Sequence, residues 1–322
     1  ASVAGFSKYG VPFNHPRYQS IRLHLDNPKP FRYGFNLRTA EGWTLGQMDR
    51  AALQGNTRYE PILQKPGKRI SKNNKVIPLF IYDNVNIKKE LGSASKYWLY
   101  HALNSLNESL NSNLLFYKGD SKSIIKSLVI KHSISSVFCE EPFLKNDIVL
   151  FEKIKKILDD LNVSLKFYNS TLLWEPYSIL KDDDSPYRVF TPFYRKGCLE
   201  RLNPHYPLGN CEKIDYLDLS NNTKIDDLEL LDKYEWYDKF EAIWKISENS
   251  ALNILHKFLH GPISNYKKGR DFPSSNYNSR LSPFIRFGMI SINRIWWEVD
   301  KLTADKNIEH YKSELGWREF SY

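Results

Sequence analysis

The chain has 322 residues, a net charge of +9, 41% hydrophobic residues and 14% aromatic residues. That apolar content supports one large or two ordinary domains and excludes wholesale disorder. The absence of an 18-residue apolar run or a leader-like start argues against membrane and secreted classes, while the basic balance favours a polyanionic partner.

Residues 1–75 read as an irregular amino-terminal segment. Arginine outnumbers lysine six to three through residue 66, whereas lysine outnumbers arginine 28 to nine afterwards. Scattered prolines and turns such as Glu41-Gly42-Trp43 break any continuous strand pattern. From Val76 the pattern becomes regular. Val76 to Asp83 is a short apolar run closed by a polar turn, as in a buried strand. Ser93 to Asn111 has helical periodicity, with Tyr97, Leu103, Leu106 and Leu110 on one face. Leu114 to Tyr117 predicts a strand, Ser121 to Lys131 a helix and Ser136 to Cys139 a third strand. Asn146 to Leu161 predicts another helix and Ser164 to Tyr168 a fourth strand. This alternation over residues 76–199 implies an α/β domain with a parallel, Rossmann-like sheet.

Residues 200–235 read as a polar interdomain linker. Helical periodicity returns over residues 236–322, with helices expected at Ser250–Leu259, Ser282–Val299 and Ile308–Tyr322. Trp296 and Trp297, beside Ile292 and Ile295, read as core. Cys139, Cys198 and Cys211 show neither CxxC spacing nor a nearby histidine pair, so no metal site or disulfide framework is expected. A reduced, cytoplasmic monomer is the expectation. Walker, G-x-G-x-x-G, H-E-x-x-H and G-x-S-x-G motifs are absent from the sequence, which removes the local support for those chemistries.

One stretch carries chemistry. Tyr266-Lys267-Lys268-Gly269-Arg270-Asp271-Phe272-Pro273 leads through a short polar spacer to Asn278-Ser279-Arg280-Leu281-Ser282-Pro283 and an apolar helix. Hydroxyls and backbone N–H groups before a helix favour a phosphate. The pattern resembles the flavin-diphosphate loop of the DNA photolyase/cryptochrome family. Other blocks resemble that family in the same order: Ser93 to Leu99, Asn169 to Pro176, Tyr187 to Phe193, the spacing of Trp244, Glu248, Ala251, Leu255 and Phe258, and Ser313 to Phe320. The resemblance covers about residues 76–322. The family's first strand is matched only by Leu23 to Pro28, so no strand is assigned within residues 1–75.

The resemblance implies an α/β domain followed by the start of an all-α flavin-binding domain. It implies FAD as cofactor and light-driven repair of cyclobutane pyrimidine dimers in DNA, a carbon–carbon lyase reaction. Tyr266, Asn278, Ser279, Arg280, Leu281, Ser282, Tyr311 and Arg318 would then contact the flavin. Arg270, Glu314, Trp317 and Arg318 would contact DNA, with Glu314 hydrogen-bonding the displaced pyrimidine and Trp317 stacking on it. An antenna chromophore such as methenyltetrahydrofolate accompanies the family, although Glu140-Glu141-Pro142 is not assigned to one. The family's later helices complete the flavin cavity and carry a tryptophan chain. They have no counterpart before Tyr322, so a carboxyl-terminal truncation is expected. A flavin photosensor and an inactive truncated photolyase are the alternative readings.

Overall fold

Five strands pair into one sheet in the order β3-β2-β1-β4-β5. They are β1 (Gln19–Leu25), β2 (Val76–Tyr82), β3 (Leu115–Lys118), β4 (Ile134–Glu140) and β5 (Ser164–Tyr168). The structure, a computed structural model, describes residues 19–25, 75–86, 90–200, 203–207, 214–219, 223–231 and 236–322. Two compact units divide it, one holding the sheet and one built from Thr171–Pro207 with Glu248–Tyr322.

In the sheet unit, helix α1 (Ser93–Ser109) connects β2 to β3, and these two strands are parallel. Helix α2 (Ser121–His132) leads to β4, and α3 (Lys145–Asp160) connects β4 to its parallel neighbour β5. Every residue of β2 is buried, which is why its sequence is a continuous apolar run rather than an alternation. Ile77, Leu79, Ile81, Val137 and Cys139 form the core with Ile125, Leu128, Ile154 and Leu158 from the helices. Asp120 caps α2 by accepting from the Ser123 amide, an ordinary N-cap role for aspartate.

One expectation fails here. Residues 1–75 do contain a strand, and β1 occupies the sheet centre. It runs antiparallel to both neighbours, with Leu23 opposite Ile77 and Val137. Ser20, Arg22 and His24 alternate with Ile21, Leu23 and Leu25, a period-two pattern. This six-residue signal is masked by the proline-rich sequence around it. The sheet is α/β with parallel flanks around an antiparallel centre strand. The expected Asp26-Asn27-Pro28 match lies outside the described residues.

Of the segment read as a polar linker, residues 203–207 belong to the second unit, and the described residues from 214 to 231 belong to the sheet unit. Val76 exchanges backbone hydrogen bonds with Asp215 and Leu217, at 2.9 and 3.1 Å. Leu228 and Leu230 are buried, because widely spaced leucines in a polar stretch still bury their apolar area. Helix α4 (Asp238–Ile243) places Phe240 against Trp98 and Trp244.

The second unit contains α5 (Glu248–Leu259), α6 (Tyr266–Gly269), α7 (Ser282–Arg286), α8 (Ile292–Asp300) and α9 (Lys306–Phe320). The helix expected over Ser282–Val299 is two helices. Gly288 takes φ 70° between them, a left-handed conformation that glycine tolerates. Ser291 then starts α8 by accepting from the Arg294 amide at 3.0 Å. Trp296 is buried edge-on against Trp174, while Trp297 Nε1 donates to the carbonyls of Pro204 and His205.

Candidate ligand-binding site

Tyr266 begins α6 and is 1% exposed. Tyr311, one turn into α9, is fully buried and meets Tyr266 edge-to-face at 4.9 Å between ring centroids. Each ring packs against Phe258 of α5 as well. Neither phenol oxygen has a hydrogen-bond partner among the described residues. Burial pushes the Tyr266 phenol well above its ordinary value, and the neighbouring Tyr311 adds to that shift. Burial pushes Tyr311 up to about 12, and the Ser279 hydroxyl opposes the rise from nearby without meeting hydrogen-bond geometry. Both groups therefore remain O–H donors throughout the physiological range.

The bend between α6 and α7 brings Ser279 to this pair. Gly269 abuts Tyr277 so closely that a Cβ would lie 2.3 Å from the ring. Ser275 Oγ donates to the Gly269 and Phe272 carbonyls at 2.9 and 2.8 Å. Arg280 takes φ 55°, a left-handed turn that returns the chain toward α7. Ser279 is buried, and its hydroxyl accepts a long 3.5 Å contact from the Leu281 amide. Asn278 Oδ1 is buried without a partner. Leu281, fully buried, occupies the N-cap position of α7, which has no side-chain cap. No serine caps α7, which has only five residues. Its dipole is correspondingly slight, so hydroxyls carry the polar chemistry of the bend.

Arg270 closes one flank. Its guanidinium bonds Glu314 Oε1, lies 3.2 Å from His310 Nε2 and sits 5.7 Å from the Tyr266 ring centroid. Glu314 is 5% exposed, and its Oε2 has no partner among the described residues. Burial pushes His310 down, with Glu314 acting the other way. Lys267, Lys268 and Arg280 are exposed, while Ser282 is half-buried.

Trp317 and Arg318 lie one turn beyond this cluster on α9. Trp317 is half-buried and stacks on Phe190 at 3.8 Å and 11°. Gly316, just before it, faces Tyr194, and a Cβ there would lie 2.4 Å from the ring. Arg318 donates to Glu319 Oε1 at 2.9 Å. Glu319 also accepts from the Leu173 amide at 2.7 Å and the Trp174 amide at 3.5 Å.

The structure thus gathers Tyr266, Asn278, Ser279, Tyr311, Arg270 and Glu314, and leaves Arg280 exposed and Leu281 in the core. His310, Phe190 and Glu319 also shape the site but are not among the sequence candidates. His310 precedes Glu314 by four residues, the spacing of helical neighbours. Phe190 lies in the quoted Tyr187–Phe193 block without an assigned role. The two amides that Glu319 accepts from are about 145 residues away, so no local pattern announces them. Buried polar atoms ordinarily have partners. Four orphaned oxygens on Tyr266, Asn278, Tyr311 and Glu314, beside a buried serine, fit a polar ligand. Two phenols and a hydroxyl suit anionic oxygens, as a diphosphate presents. Among the described residues, no group of three or more His, Cys, Asp or Glu is arranged for a metal, and no helix is long and apolar enough to cross a membrane.

The sequence pattern of the DNA photolyase family matches residues 49–209. A deoxyribodipyrimidine photo-lyase of Agrobacterium fabrum is 30% identical over 256 residues, covering 77% of this chain and 53% of that protein. The crystal structure of a class III photolyase from Agrobacterium tumefaciens superposes with a TM-score of 0.69 at 30% identity, over 76% of this chain and 52% of that one. An archaeal photolyase from Sulfolobus tokodaii, solved with two FAD molecules, shares the fold at a TM-score of 0.57 and 24% identity, covering 76% and 51% of the two chains. The chain therefore spans about half the length of these relatives.

Proposed function

We propose, from the premise that the chain belongs to the DNA photolyase family, that the Tyr266–Ser279–Tyr311 cluster grips the diphosphate of FAD and serves light-driven repair of cyclobutane pyrimidine dimers in DNA. The observation that supports this reading is the pair of buried phenols with unpartnered hydroxyls beside Ser279. Leaving a buried donor unsatisfied costs about 1–3 kcal/mol, so the arrangement makes sense once phosphate oxygens complete it. The Tyr266 and Tyr311 hydroxyls donate to those oxygens, with the Ser279 hydroxyl beside them. The Asn278 side chain donates through its amide nitrogen in the flipped orientation.

When bound and reduced, FAD supplies the photoexcited electron that opens the dimer. The chain's residues position the DNA. Lys267, Lys268 and Arg270 engage backbone phosphates, which fix register without reading sequence. Glu314 Oε2 accepts from the displaced pyrimidine, and the Trp317 ring offers a stacking face for it. Arg318, held by its bond to Glu319, lies one turn beyond Glu314 and would contact the flavin or the DNA from there.

The test is titration of the 322-residue chain with oxidised FAD in the dark, followed by flavin fluorescence. One-to-one binding is expected. Tyr266→Phe should weaken it about tenfold, the effect of one hydrogen bond to a charged group. The same variant should leave the thermal stability of the flavin-free chain unchanged or raised, because the deleted hydroxyl has no protein partner. Absence of flavin binding by the wild-type chain, or unaltered affinity in Tyr266→Phe, would count against the assignment.

A further inference from the structure

Phe272 is 54% exposed on the bend between α6 and α7. A single exposed phenylalanine is ordinary, but this one stands on a braced support. Its amide donates to the Gly269 carbonyl at 3.1 Å, and its carbonyl accepts from both the Ser275 hydroxyl and the Ser275 amide. Pro273 follows it with a fixed φ, and Gly269 is wedged against Tyr277. The backbone that carries the ring therefore has little freedom left to lose on contact. Lys267 and Lys268 are exposed on the preceding turn. The neighbouring acid, Asp271, is drawn toward Arg270 Nε at 3.9 Å. An apolar ring flanked by cations complements a partner with phosphates outside and flat apolar faces inside, which is nucleic acid with an opened base stack.

We propose that Phe272 is a stacking wedge that enters an interrupted step in the DNA base stack, so that the bend recognises the gap left by a displaced lesion. This rests on the DNA-repair reading above and deepens it. Glu314 and Trp317 address the displaced bases, Phe272 fills the step they vacate, and Lys267 and Lys268 hold the flanking phosphates.

The experiment measures dark binding of the 322-residue chain to two labelled duplexes, one fully matched and one carrying two adjacent abasic sites. Phe272→Ala should lose about tenfold on the abasic duplex, within the range of one base–aromatic stack. It should change by less than about twofold on the matched duplex and keep the same salt slope, since no phosphate contact is removed. Phe272→Trp should restore the preference. The double variant Lys267→Ala, Lys268→Ala should instead weaken both probes alike and flatten the salt slope. Unchanged abasic binding in Phe272→Ala, or equal loss on both probes, overturns the wedge while leaving DNA binding intact. Binding of neither probe by the wild-type chain overturns the DNA-repair reading itself, and the wedge with it.

Discussion

The Glu319 carboxyl group accepts from Arg318 and two amides, yet burial raises it to about 7 from an ordinary 4.5. The folded chain thus holds this proton more tightly than the unfolded chain. Its stabilising contribution is complete below about pH 4.5 and is lost as pH rises through about 7. Wild-type stability in urea should therefore fall relative to Glu319→Gln by on the order of 2 kcal/mol across that window. Parallel pH profiles for the two proteins would refute a buried, folding-linked proton. Glu319 also marks the reach of sequence reading at this scale. Tyr266 and Ser279 sit in one compact block and Tyr311 just before another, so they could be chosen as a group. The carboxylate that ties α9 to Leu173 lies in the Ser313–Phe320 block, but the two amides it accepts from are far along the chain, so its role had no local sign. The Arg270–Glu314 ion pair was equally hidden, although each residue was singled out separately.

Element by element, α9 shows how a local propensity rule can be reversed. Glycine within a helix is usually about 1 kcal/mol worse than alanine, so Gly316→Ala would ordinarily stabilise. Here the added methyl would meet the buried Tyr194 ring at 2.4 Å. Overpacking of this kind costs about 1–3 kcal/mol, so the variant should melt several degrees lower. It should also disturb the adjacent Trp317–Phe190 stack, visible as altered tryptophan fluorescence. A melting temperature at or above wild type would mean that α9 can shift away from Tyr194. The helices of the α/β region were legible to within a residue or two because their apolar periodicity is strong. The α7–α8 break was not, since Ile290 and Ile292 sustain the apolar pattern across Gly288 and Ser291. Strand β1 was missed for a different reason: the alternation of its six residues Ser20–Leu25 resembles a surface strand, yet it lies between two others.

Across the whole molecule, the alternation of strands and helices after Val76 was sufficient to specify an α/β sheet, while the centre strand came from a segment that composition set apart. The net charge of +9 has a consequence at the same scale. If DNA is the partner, the logarithm of affinity should fall linearly with the logarithm of salt concentration, by about 0.9 for each phosphate engaged. Lys267, Lys268 and Arg270 alone would give a slope near −3, about 0.9 for each of three phosphates. Fluorescence anisotropy at several salt concentrations measures it. A flat response would remove the electrostatic basis for repair.

The hydroxyl of Ser275, closed onto two carbonyls above the Gly269–Tyr277 contact, also bears on timing. If the bend takes a dinucleotide as proposed, it is already ordered by its own side chains and does not have to wait for a rare conformer before docking. The arrival rate is then governed by collision and orientation, and selectivity resides in how long the guest stays.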